Sequence, residues 1–402
     1  MVIRLRRILA LAGLTLAVAS LWAQQAPVSP RHGRAQLASG VAFAPDGRLW
    51  LAGLNEHGQL FVQSAPASDL RRWDAPRVIA TAGDALSADG ENRPKLAFGP
   101  TGWAVISYTQ PLARPYTGMI RMLRSTDGGQ TFSVPFTVHA DRQEITHRFD
   151  SVAFDAQGVL HTVWIDKRDM ERAPKLGKKS SYAGAAIYRN ESRDGGASFG
   201  PDLKVADHSC ECCRIALAPG RDGVLRAMWR HVFEPGVRDH GFAVLASQGS
   251  GQVARATFDD WHIDACPHHG PGLALAADDG FHAVWFGIRK QGAEDVAAVR
   301  YARLRPDGNP QLDTVRVLPD ERAEHADVLA WGDRVAVVWR SVDGTRSTLK
   351  AWLSTDSGQT FRLVELGAVM GDNDHPRLAQ QGGQMVAVWR NAKEVQVHEI
   401  RF

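Results

Sequence analysis

Three of the four cysteines of this 402-residue chain stand within four positions, in the segment HSCECCR (His208–Arg214). The fourth, Cys266, is followed by two histidines in DACPHHGP. Residues 208–269 hold all four cysteines and six of the fifteen histidines. Thiolate and imidazole together are the ligand set of Cu(I) and Zn(II). The candidate metal ligands are therefore His208, Cys210, Cys212, Cys213, Cys266, His268 and His269, in some subset. In an extended segment His208, Cys210 and Cys212 would point one way and Cys213 the other. Cys-x-Cys-Cys is not one of the usual zinc spacings, and soft donors in a secreted chain favour copper, as Cu(I), over zinc. The rival use of four cysteines is structural disulfides. One bridge would staple the two loops, Cys266 to Cys210 or Cys212, whereas bridges between near neighbours force awkward geometry. A redox-active dithiol is a third option. His231, Asp239 and His240, in RHVFEPGVRDH, could support the cluster.

The compartment follows from the N-terminus. Arg4, Arg6 and Arg7 precede the apolar run ILALAGLTLAVASLWA and then polar QQAPVSP. This pattern predicts a secretory signal over residues 1–23, cleaved near Ala19 or Ala23, and a periplasmic or secreted product. The run is short for a spanning helix, so no membrane span is expected in the mature chain. Without those three arginines the formal charge falls from +3 to about zero, which gives no reason to expect nucleic acid or an acidic membrane as partner. The compartment is oxidising, so thiols need protection.

Residues 24–402 read as one repeat domain. A short apolar–Ala–apolar strand recurs seven times, at Ala42, Ala97, Ala153, Ala216, Ala274, Ala330 and Ala379, at intervals of 55, 56, 63, 58, 56 and 49. Most copies continue through a glycine-bearing turn into an alternating strand that ends in tryptophan: Trp164, Trp229, Trp285, Trp339 and Trp389. Period-two alternation is strand. A third strand follows (MIRMLRS, AAIYRNES, FAVLAS, VRYARL, LKAWLS), and then a weaker fourth. Four antiparallel strands repeating at this length predict an all-β propeller, with seven blades, or six if the first copy is misread. The last blade has three clear strands, and residues 31–37 could supply its fourth. The tryptophans are expected to pack between blades.

A second repeat falls between the third and fourth strands: STDGGQTF (Ser125–Phe132), SRDGGASF (Ser192–Phe199) and STDSGQTF (Ser354–Phe361). It resembles the Asp-box, or BNR repeat, of sialidase-like propellers. Asp127, Asp194 and Asp356 are read as turn-stabilising, with their carboxylates accepting the turn's own N–H groups, glycine supplying positive φ and the aromatic ring entering the blade core. The resemblance covers nearly the whole mature chain at the level of fold. For activity it implies an arginine triad, a Tyr–Glu nucleophile pair and an Asp acid/base. Arg93, Arg214 and Arg377 flank first strands, where they could converge on an anionic ligand. The family's early Phe-Arg-Ile-Pro motif is missing, and none of the five tyrosines has an evident Glu partner. The paired segments CECCR and DACPHHGP also resemble a variant of Asp-box propellers associated with bacterial copper handling.

Propeller topology puts inter-blade connections and the loops between strands two and three on one face, and the Asp-box turns on the other. HSCECCR precedes the first strand of blade four and DACPHHGP that of blade five, so both should meet near the channel mouth. His147, His325 and His375 also precede first strands and could extend a site or cap loops. His161 and His282 are read as packing residues. The expected function is metal binding for copper capture, delivery or redox handling, with other periplasmic or outer-membrane metal-handling proteins as partners. The alternative is a sialidase-like glycoside hydrolase or carbohydrate-binding propeller whose cysteines are staples. The basic loop Asp166–Tyr182 is a solvated insertion or a contact for an acidic partner.

Overall fold

A computed structural model describes residues 36–402 except 177–178, 247–251, 264 and 266. The expected signal segment and most of residues 31–37 lie outside these, as does Cys266. Leu37 itself is not in a strand.

Every Ala-centred repeat is the first strand of an antiparallel sheet: Gly40–Phe43, Lys95–Phe98, His147–Phe154, Ala216–Pro219, Gly272–Leu275, Ala323–Trp331 and Arg377–Gln381. Six sheets have four strands in sequence order, and the seventh has three among the described residues. Each first strand lies against that of the next blade, and the seventh lies against the first, which closes a ring of seven. Alanine suits these strands because they converge on the axis, where long side chains would clash.

The apolar core is divided between the seams. Leu49, Leu51 and Phe61 of blade one, for example, pack with Ala379, Val386, Val388 and Val397 of blade seven. The five repeat tryptophans are buried at such seams. Four of them donate Nε1–H, to Asp166, Asp259, Asp320 and the Asp374 carbonyl, at 2.7–2.8 Å. An arginine follows three of these tryptophans and reaches into the next blade. Arg230 donates to the carbonyls of His269 and Phe286, Arg340 to that of Asn373, and Arg390 to that of Leu54. Gly53 makes room for the last of these, since a Cβ there would sit 2.6 Å from Arg390 Nη1.

The three turns that resemble Asp-boxes form as expected. Asp194 accepts the Ser198 and Ala197 N–H groups at 2.9 Å and the Ser192 hydroxyl at 2.7 Å. These bonds, led by that from the Ser198 hydroxyl, hold its pKa at about 2. In the third copy Ser357 takes φ +58, where the other two copies have glycine. The ring departs from expectation. Phe361 packs on Tyr301 of the preceding blade as well as on Trp352 of its own, so the motif fastens blade to blade.

The loop Asp166–Tyr182 is more than a solvated insertion. It opens with a helix, Arg168–Arg172, whose buried Arg168 donates to Asp166 and Asp202 at 2.7 and 2.9 Å and lies over the Tyr188 ring.

Candidate metal-binding sites at the inter-blade face

Blade three ends with the strand Leu203–Ser209, and blade four begins at Ala216. Between them the chain bends over residues 211–213. Ser209 bridges to His231, and the Cys210 N–H donates to the Arg230 carbonyl at 2.9 Å, which seats the bend against blade four. Because the backbone is bent and not extended, Cys213 does not point away. The sulfurs of Cys210, Cys212 and Cys213 form a nearly equilateral triangle with sides of 3.8, 4.0 and 3.9 Å. A disulfide would need about 2.05 Å, so no two of the three are bonded to each other. All three are buried among Phe149, Ile165, Ile215 and Trp229.

The ionisable surroundings of this triangle are unusual. Arg230 is 1% exposed, and its partners among the described residues are the carbonyls of Arg238, His269 and Phe286, with the Trp261 ring 5.0 Å away. The hydrogen bond with Cys210, followed by burial, pushes the Cys213 thiol well above its ordinary range, and the Arg230 charge pulls it back. His240 is held neutral by burial and then by Arg230, against the influence of Cys210. Its Nδ1 meets the Thr257 hydroxyl at 3.2 Å, and its buried Nε2 has no hydrogen-bond partner among the described residues.

The other residues singled out in the sequence lie elsewhere. His208 accepts the Ala183 N–H at 3.3 Å and packs on Tyr182. His231 contacts Phe233 and Trp229, and burial, then His208, lowers its pKa to about 4. Asp239 is paired with Arg255. His268 is exposed, with φ +54. His161 and His282 are buried and bonded to Asp155 and Tyr301, and His147 stacks on His139.

His269 belongs to a second assembly at the same face. It stacks on His325 at 4.3 Å, and His325 stacks on His375 at 3.3 Å. Glu91, from the connection between blades one and two, is buried beside them. Its Oε2 accepts the Arg214 and Gly270 N–H groups at 3.1 and 3.3 Å. Its Oε1 lies 3.2 Å from His325 Nδ1, 3.3 Å from Arg214 Nη1 and 3.5 Å from His375 Nδ1. Burial would raise the Glu91 pKa, but Arg214 and the two imidazoles hold it well below the carboxylate range. Burial keeps all three histidines neutral, with His269 lowered to about 3. Glu91 carries no motif, and nothing in its local sequence marks it.

The three arginines do converge on the channel mouth, but each is already paired with a carboxylate. Arg93 makes a two-pronged pair with Asp374, at 3.1 Å for both bonds, Arg214 pairs with Glu91, and Arg377 lies 3.5 Å from Asp327. Tyr108, Tyr182 and Tyr188 donate to aspartates and Tyr301 meets His282, so these four hydroxyls have partners other than glutamate.

No family model matches this chain, and no curated protein matches it. Solved structures do. An ulvan lyase of polysaccharide lyase family 25, bound to a GlcA–Rha3S ligand, superposes with a TM-score of 0.57 at 11% identity, over 91% of this chain and 93% of that one. YCF48 bound to a D1 peptide gives 0.51 at 15% identity, over 91% and 93%. A leech intramolecular trans-sialidase gives 0.49 at 10%, over 88% and 82%. The chain is thus a seven-bladed propeller by its own strand order, a fold it shares with the first of these structures. Likeness at these identities speaks to fold and not to chemistry.

Proposed function

We propose that this chain is an exported propeller that holds copper(I) on the thiolates of Cys210, Cys212 and Cys213, for capture or delivery of the ion. The reading rests on the sulfur triangle. A point equidistant from its three corners lies about 2.25 Å from each, close to the metal–thiolate bond length of about 2.3 Å. The spacing therefore accommodates an ion held by three thiolates, and an all-sulfur donor set suits copper(I). Metal binding requires thiolates, and the Arg230 guanidinium supplies a buried positive charge beside them. The leader-like N-terminus supports export, and the three Asp-box turns support placing the chain with a Cys/His-rich kind of Asp-box propeller.

The test is competition against a chromogenic copper(I) chelator under anaerobic conditions. One copper per mature chain is expected, lost in the Cys210→Ser/Cys212→Ser/Cys213→Ser variant. Unchanged affinity in that variant, with a native circular dichroism spectrum, would sink the reading.

A second reading is a glycan-acting propeller. It draws on the ulvan lyase, whose ligand is an acidic oligosaccharide, and on the arginines at the channel mouth. Their pairing with buried carboxylates weighs against it. Turnover of a uronate- or sialic-acid-containing glycan by metal-free protein would favour it over the copper reading.

A further inference from the structure

The thiol site leaves the second assembly without a use. Glu91 and His375 come from two inter-blade connections and His325 from inside the first strand of blade six, not before it as its sequence position suggested, yet one donor atom from each lies within 4.8 Å of the others. We infer that these three residues form a separate site for a divalent first-row metal ion, of the two-histidine, one-carboxylate type. The inference is independent of the copper reading.

Four observations carry it. First, the donor spacing fits, with the stacked His325 and His375 rings, 3.3 Å apart and 10° from parallel, needing to rotate to turn both Nδ1 lone pairs to one ion. Two donors on one ion at about 2.1 Å lie roughly 3.0–3.4 Å apart at angles between octahedral and tetrahedral, and Glu91 Oε1 is 3.2 and 3.5 Å from the two Nδ1 atoms. Second, His375 is 9% exposed and its Nδ1, aimed at Glu91, has no hydrogen-bond partner among the described residues. Third, the carboxylate is held in place from behind, by the Arg214 and Gly270 N–H groups on Oε2, which is the outer support that ligating carboxylates need. The backbone N–H of His375 donates to Asp374 Oδ1 at 2.7 Å, which fixes the main chain that carries the imidazole. Fourth, the donors are nitrogen and oxygen, which suit divalent ions such as zinc(II), copper(II) or iron(II), where the sulfur triangle suits the softer copper(I). Arg214 shares Glu91 Oε1 and is anchored by the carbonyls of Pro271 and Ala326. Its guanidinium neutralises the buried carboxylate, so an ion on Oε1 would have to take over that contact.

The experiment uses the full mature chain with all four cysteines changed to serine, so that thiol binding cannot contribute. Calorimetric titration with zinc(II) is expected to show one site per chain, weakened at least a hundredfold by Glu91→Gln or by His375→Gln. A folded thiol-free protein that binds no stoichiometric zinc would overturn the inference, as would unchanged binding in both variants. Should the substitutions prevent folding, wild-type protein with its thiols blocked by methyl methanethiosulfonate is titrated with copper(II) instead. An electron paramagnetic resonance spectrum with coupling to two imidazole nitrogens upholds the site, and one without nitrogen coupling removes it.

Discussion

Asp374→Asn tests what closes the ring. Asp374 is buried at the seam between blades seven and one. Its carboxylate accepts the Ser39 N–H at 2.9 Å, both Arg93 guanidinium nitrogens at 3.1 Å and the His375 N–H at 2.7 Å. The amide keeps the shape but removes the charge and turns an N–H₂ toward groups that are all donors. Arg93, with a side chain only 6% exposed, is left without its anion. Breaking a buried pair from one side costs about 3–5 kcal/mol. Unfolding entropy is about 2.1 cal/mol/K per residue, so for a chain of roughly 370 ordered residues the midpoint should fall by only about 4–6 °C. Differential scanning calorimetry measures this directly. Asp343→Asn is the control, because Asp343 pairs with Arg322 on the exposed rim and should shift the midpoint by about a degree or less. If Asp374→Asn melted within a degree of wild type, the charged pair would not be what holds the seam.

Two further outcomes are expected. Burial, and then Arg303, lowers the His282 pKa to about 4, below its unfolded value of about 6.5. Its contribution to stability is therefore full above about pH 6.5 and is lost as pH falls through about 4, a total of about 3 kcal/mol. His282→Gln should flatten that part of a urea-midpoint-against-pH profile, and an unaltered profile would contradict the assignment. Arg230→Met and Arg340→Met each remove a seam arginine and should each lower the melting temperature, but only Arg230→Met should weaken copper(I) binding, by about tenfold. Equal copper affinities in the two variants would show that Arg230 is a clamp and nothing more.

The propeller was legible because each blade repeats the same strand signals, and seven copies of Ala-centred periodicity leave few other folds. Topology then placed HSCECCR and the His269–Pro271 end of DACPHHGP on one face without any coordinates. What stayed hidden was local and unpatterned. The bend at residues 211–213, which brings Cys213 to the other two sulfurs, has no periodic signature. Glu91 was missed because its partners His325 and His375 are 234 and 284 positions away and pairing at such range leaves no local mark. The Trp-Arg dipeptides at 229–230, 339–340 and 389–390 were available as a signal. Read only for packing, the tryptophans concealed the arginine that reaches across each seam.

The closing seam also sets the order of events when the chain folds. Ser39 meets Asp374 across 335 positions, and Arg390 reaches back to the Ser39 hydroxyl and the Leu54 carbonyl. Blade one therefore waits, with the faces of Leu49, Leu51 and Phe61 bare, until residues 374–397 have been synthesised. Contacts at such separation form last and slowly. A chain that stops short of blade seven keeps an apolar edge open permanently, so truncated products should aggregate or be degraded and should not persist as smaller propellers.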